Sequence, residues 1–153
     1  YLPATPFGIV ELLKRYDIET SGRECVVIGR SNIVGRPLSI LLSRKGTDAT
    51  VTLVHSRTRD IASHLRRADI IVAALGSPGF VTAGMIKQGA VVIDVGTTRV
   101  PSPSARSGWK LAGDVDFDNV APLCSWITPV PGGVGPMTRV ALLRNTLMAV
   151  ELK

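Results

Sequence analysis

The residues best able to do chemistry begin with VVIGRSNIVGRP, residues 26–37. An apolar run ends at Gly29, and a helical pattern opens near Gly35. A helix that follows a strand aims its free N–H groups, and a partial positive charge, at the loop between them, which favours phosphate. Gly29 permits a tight turn there, and Gly35 permits close approach of helix to strand. Ser31 supplies a hydroxyl where a glycine would supply only backbone, and Arg30 supplies a cation. Pro37 suits a first helical turn, where its missing N–H costs nothing. The spacing is G-x-S-x-x-x-G-x-P, one residue longer between the outer glycines than G-x-G-x-x-G. Alone, it also fits an ordinary strand–helix turn capped by a serine.

The second group lies at the end of the next apolar run, TVTLVHSRT, residues 50–58. A site for NAD places Asp or Glu at this point, about 20 residues after the glycines, to hold a ribose 2′-hydroxyl. Here His55, Ser56 and Arg57 come first, and no carboxylate follows until Asp60. A carboxylate would repel a 2′-phosphate; Arg57 and Ser56 would bind one, with Arg30 reaching from the first loop. The expected cofactor is therefore NADP, with NAD as the variant. His55 and His64 are the only histidines, and no cysteine pattern accompanies them, so no metal site is expected.

Gly76 in ALGSPGF (74–80) and Gly96 in DVGTTR (94–99) end two further runs and leave room for a ribose and a nicotinamide. Asp94 is a candidate acid, but a buried carboxylate accepting loop N–H bonds is the preferred reading. Asp114 and Asp116 of GDVDF would share one face of a strand and are read as structural. The stiffest and barest stretch is TPVPGGVGPMT, 128–138. Three prolines rigidify it, and three glycines remove side chains where something must come close.

The elements that would carry these loops follow from pattern. CVVIG (25–29), TVTLVHS (50–56), DIIVAAL (69–75) and AVVIDVG (90–96) are Val- and Ile-rich with little alternation, as in parallel strands buried on both faces. Between them, residues 35–45 place Leu38, Leu41 and Leu42 on one helical face before Gly46. Residues 59–68 set Ile61 and Leu65 four apart, and 82–88 make a short helix. Strands alternating with helices predict a doubly wound, mainly parallel α/β sheet with flanking helices. An opening helix over 5–16, with Thr5 as N-cap and Pro6 at its first position, belongs to a leading segment, 1–22. A surface loop over 97–117 holds an edge strand at 109–112. SWITPV is a short strand, PGGVGP a loop, and 137–153 the closing helix.

With these motifs in order, the chain resembles the C-terminal, Rossmann-type cofactor domain of bifunctional methylenetetrahydrofolate dehydrogenase/cyclohydrolase. The resemblance rests on PATPFGI (3–9), VVIGRSNIVGRP, TVTLVHSRT, ADIIVAALGSPGF (68–80), GAVVIDVGTTR (89–99), GDVDF (113–117) and ITPVPGGVGPMT (127–138). It implies oxidation of 5,10-methylenetetrahydrofolate with NADP, or NAD in some members, then hydrolysis of the methenyl product. It implies that Gly29, Arg30 and Ser31, flanked by Ile33 and Gly35, hold the cofactor phosphates. His55, Ser56 and Arg57 would surround the 2′-phosphate, and Gly76, Gly96, Thr97 and Thr138 would line ribose and nicotinamide. Pro131, Gly132, Gly133 and Val134 would face substrate. Where the family often carries Ile-Asn after DVG, this chain has Thr97 and Thr98. The family's essential lysine sits in a Tyr-x-x-x-Lys motif of an N-terminal folate domain. No lysine here has Tyr four residues before it, so no catalytic residue is expected in this chain, and tetrahydrofolate derivatives would be reached through that other domain. A homodimer is implied as well.

Composition narrows the alternatives. The 18 basic and 12 acidic residues leave a net charge of +6, which favours anionic partners. The basic residues are scattered and only 5% of residues are aromatic, against a stacking platform for nucleic acid. No apolar run approaches the roughly 20 residues that span a bilayer. Cys25 and Cys124 fall in or beside apolar runs, expected as two buried thiols in a reducing, cytoplasmic setting. The competing readings are a free-standing NADP-binding regulatory or docking module, and a nucleic-acid binder exploiting the positive charge.

Overall fold

The computed structural model describes residues 1–151. Five strands form one parallel sheet: β1 (Glu24–Ile28), β2 (Thr50–Val54), β3 (Ile70–Ala73), β4 (Val91–Asp94) and β7 (Trp126–Ile127), in the order β2-β1-β3-β4-β7. Every side chain of β3 and β4 is buried. This is the reason their sequences are apolar throughout rather than alternating. The chain moves outward from β1 to β2, then returns to β1's other side for β3. That reversal is the sheet's topological switch point, where ligands of open α/β sheets lie beyond the carboxyl ends of the strands.

Two apolar layers sandwich the sheet. Cys25 and Val27 of β1 face one way, toward α1 (Ala4–Arg15), α2 (Gly35–Ser43) and the start of α5 (Val134–Glu151), packing with Ile9, Leu13, Leu38, Leu42 and Val134. Val26 and Ile28 face the other way, toward α3 (Ile61–Arg67) and its buried Leu65. Helix α2 buries Leu38, Leu41 and Leu42, the face its spacing predicts. Helix α3 is capped by Asp60, whose side chain accepts the Ser63 N–H at 3.2 Å.

Several elements differ from expectation. Helix α1 starts at Ala4 with Pro3 as its cap, and no side chain caps it. Thr5 instead meets the Thr138 hydroxyl at 3.0 Å, tying α1 to α5. Pro6 therefore sits third in the helix, still inside the turn whose N–H groups lack partners. Residues 82–88 contain only a single 3₁₀ turn, Ala83–Met85. In the stretch 97–117 the edge strand expected at 109–112 is present, but it does not stand alone. β5 (Thr98–Pro101) and β6 (Trp109–Ala112) pair antiparallel in a separate two-stranded sheet, with the Arg99 guanidinium 4.3 Å from the Trp109 ring centre. Asp114 and Asp116 do not share a strand; Asp116 precedes the one-turn helix α4 (Phe117–Val120). Helix α5 opens at Val134 rather than Met137. Pro136 then takes the third helical position, where no intrahelical N–H is needed. Cys25 is buried and Cys124 only partly so; both are free.

Candidate functional site

The loops that follow β1, β2, β3, β4 and β7 all leave the same edge of the sheet. Ile28 is in register with Val54 on one side and Ala73 on the other. The Gly29 N–H donates to the Val54 carbonyl at 2.9 Å, Ala74 N–H to Ile28, and Val95 N–H to Ala73. Residues 29–31 and 55–57 thus lie on adjacent strand ends, side by side. The structure brings together the two groups that the sequence links only through charge.

In the first loop, Gly29 has φ of +111°, and a Cβ there would strike the Ala74 carbonyl. A Cβ on Gly35 would fall on the Gly29 carbonyl, so α2 can approach β1 only with glycine at that position. Ser31 does cap the helix: its Oγ accepts N–H bonds from Val34 at 3.1 Å and Gly35 at 3.3 Å. Capping uses the oxygen's acceptor capacity and leaves the O–H proton free to donate outward. Among the described residues, the N–H groups of Arg30, Ser31, Asn32 and Ile33 have no intrachain acceptor. Arg30, Ser31 and Ile33 are all exposed, Ile33 at 76%. Such a loop has both the room and the donors for a phosphate.

At the end of β2, the turn is held locally. The His55 N–H donates to Thr58 Oγ1 at 3.0 Å, and the Arg57 N–H donates to His55 Nδ1 at 3.2 Å. Nδ1 is the acceptor in this turn. Ser56 and Arg57 are exposed. Among the described residues, neither Arg30 nor Arg57 forms an ion pair with a carboxylate. Their charge is available to a ligand.

Further along the edge, a cavity of about 430 Å³ is lined by Thr5, Thr97, Pro131, Gly132, Gly133 and Thr138, among others. The Val130–Pro131 bond is cis, and the space beside the Gly132 Cα is open. Gly76, with φ of +72°, likewise has nothing within 4 Å of a built Cβ. Two residues stand apart from the others of this group. Val134 is not a loop residue: it opens α5 and is only 5% exposed, although it also lines the cavity. The space beside Gly96 is filled by the protein itself, since a Cβ there would meet the Asp114 carboxylate. Neither residues 29–35 nor 55–57 line the cavity. The candidate site is thus an elongated edge with a basic end and a glycine- and proline-rich end.

Below that edge lie two buried carboxylates. Asp94 accepts N–H bonds from Gly96 and Asp114 at 2.9 Å and from Val115 at 3.0 Å, as the sequence reading prefers. Burial pushes its carboxyl above the ordinary value of 3.8; the three N–H bonds pull against that shift, and the nearby Asp114 carboxylate adds to it. Asp114 accepts from Leu75, Gly76 and Ser77. No sequence signal separates this role from general core polarity, because donors and acceptor lie almost 40 residues apart.

Residues 3–153 match the model of the tetrahydrofolate dehydrogenase/cyclohydrolase NAD(P)-binding domain. The chain is 66% identical over 151 residues to the bifunctional protein FolD of Bacteroides fragilis, covering 97% of this chain and 52% of that protein. Among solved structures, it aligns with the FolD methylenetetrahydrofolate dehydrogenase/cyclohydrolase of Campylobacter jejuni at a TM-score of 0.91 and 45% identity, over 99% of this chain and 51% of that one. The Trypanosoma brucei enzyme, solved with NADP cofactor and an inhibitor, aligns at 0.88 and 50% identity, over 95% and 49%. The chain spans about half the length of the curated relatives it matches.

Proposed function

The chain belongs to the tetrahydrofolate dehydrogenase/cyclohydrolase family as its NAD(P)-binding domain, and on that footing we propose that it holds NADP along the sheet edge. In this reading, the intact protein is an NADP-dependent methylenetetrahydrofolate dehydrogenase and methenyltetrahydrofolate cyclohydrolase. Gly29, Arg30, Ser31 and Ile33 hold the phosphates, with Gly35 letting the helix close behind them. His55, Ser56 and Arg57 surround the 2′-phosphate. Gly76, Thr97 and Thr138 line the ribose and nicotinamide, and Pro131, Gly132 and Gly133 face substrate. When bound, NADP supplies the hydride acceptor. The chain's residues bind and orient it, and the rigid 128–133 loop shapes the space in which substrate meets it. The folate-binding half, with its Tyr-x-x-x-Lys lysine, completes the site. A cytoplasmic homodimer is part of the same proposal, supported by the family's habit and by the free thiols.

The observation that carries the cofactor reading is the pairing of Arg30 with Ser56 and Arg57 on adjacent strand ends, with no carboxylate partner among the described residues. A hydrogen bond to a charged group contributes about 1.5–3 kcal/mol. Losing Arg57 is therefore expected to weaken NADP binding by roughly tenfold to a hundredfold. Arg57→Glu is expected to reverse the preference for NADP over NAD in calorimetry. An unchanged ratio removes the 2′-phosphate assignment.

A further inference from the structure

Asp114 is fully buried. Its Oδ2 accepts N–H bonds from Leu75 at 2.6 Å and Gly76 at 2.9 Å, and its Oδ1 accepts one from Ser77 at 2.7 Å. Three consecutive N–H groups of the loop after β3 thus turn inward onto one carboxylate, a concave arrangement of the kind that binds anions. Asp114 is itself seated: its N–H donates to Asp94 Oδ1, and the Val115 N–H donates to Asp94 Oδ2. Asp94 also takes the Gly96 N–H, and its backbone N–H donates to Thr128 Oγ1 at 2.8 Å. The loops after β3 and β4 are therefore linked through two carboxylates in series, and Thr128, just after β7, is tied to the Asp94 main chain. Glycines admit both: a Cβ on Gly113 would strike the Asp94 carboxylate, and one on Gly96 would strike Asp114.

This arrangement divides the edge chemically. A loop whose N–H groups already serve an internal carboxylate has none to give an external phosphate. The negative charge beneath it also disfavours a second anion. The first loop keeps its N–H groups free, so phosphate belongs there. The loop after β3 instead presents the bare, open backbone of Gly76, a surface for a ring or sugar rather than an anion.

We propose that Asp114, seated on Asp94, is a positioning residue for the nicotinamide half of the cofactor, fixing the loop after β3 so that Gly76 lies against it. The proposal rests on the NADP reading above. Its test is calorimetry on this chain with two probes, NADP and 2′,5′-ADP; the second carries the adenosine and 2′-phosphate but lacks the nicotinamide. Asp114→Asn keeps the size of the side chain but replaces one acceptor oxygen with a donor. NADP affinity is expected to fall about tenfold or more, while 2′,5′-ADP affinity stays within about twofold. Equal losses for both probes, or none for either, overturn the proposal. Gly76→Ala supplies a second reading if the aspartate variant does not fold: it keeps the Asp114 side chain and adds a methyl group at the open face, at a φ of +72° that also strains the loop. NADP binding is expected to weaken and 2′,5′-ADP binding to hold; unchanged NADP binding overturns the proposal. If wild type binds both probes and the variants lose both equally or neither, the NADP reading stands while this one falls. If wild type does not bind 2′,5′-ADP, the NADP reading itself fails.

Discussion

Individual side chains at this sheet edge serve two roles at once, and Ser31 is the plainest case. Its oxygen caps α2 by accepting two N–H bonds, and its proton remains free for a ligand. A capping serine and a phosphate-binding serine are not alternatives here, because a hydroxyl has both capacities. A second residue joins distant elements by charge. Asp69, beside β3, accepts from the Lys87 ammonium and, at 2.9 Å, from the Glu24 N–H of β1. The Lys87 hydrogen bond, then the Glu24 N–H, hold its carboxyl below the ordinary 3.8. A carboxyl lowered on folding adds stability above its unfolded value, and that stability is lost as pH falls through the folded value. Wild type is therefore expected to exceed Asp69→Asn in urea midpoint at about pH 6 and to lose that advantage by about pH 2. A constant difference across that range would mean the ion pair does not report this linkage.

Among the elements, α2 carries the phosphate loop and is anchored by one face. Leu42 is fully buried while Ile40 is 66% exposed. Leu42→Ala is expected to cost about 2–5 kcal/mol, and Ile40→Ala about 0.5 or less, by chemical denaturation. Similar losses for both would mean the helix is packed differently. The sequence made the parallel strands and α2 legible because burial on both faces, or on one stripe, writes a pattern of period. The edge strand at 109–112 was legible as well, but the sequence did not reveal its partner β5, whose flanking Ser and Pro residues read as loop, or the pairing of Thr98 with Ala112 and of Pro101 with Trp109. Nor did it reveal the start of α5, because glycines and prolines signal breaks unless they occupy the first turn. The first loop and the HSR turn were legible from charge and spacing. The Asp94–Asp114 chain was legible only in part, since Asp94 offers a buried carboxylate at a strand end, but its partner is brought in by the fold.

For the molecule as a whole, the long edge has a basic end at β1 and β2 and a glycine- and proline-rich end at β4 and α5. This polarity matches a ligand that is anionic at one end and a flat ring at the other. The chain has no Tyr-x-x-x-Lys motif, and orientation of substrate supplies much of an enzyme's rate. This 153-residue chain is therefore expected to bind NADP and to show no conversion of 5,10-methylenetetrahydrofolate, followed by the absorbance of the reduced cofactor. Robust turnover would refute the assignment of catalysis to another part of the protein. The most direct test of the whole account is a crystal structure of this chain grown with NADP. The 2′-phosphate is expected among Arg30, Ser56 and Arg57 and the pyrophosphate at the start of α2. A 2′-phosphate held elsewhere, with those three side chains turned away, would contradict it.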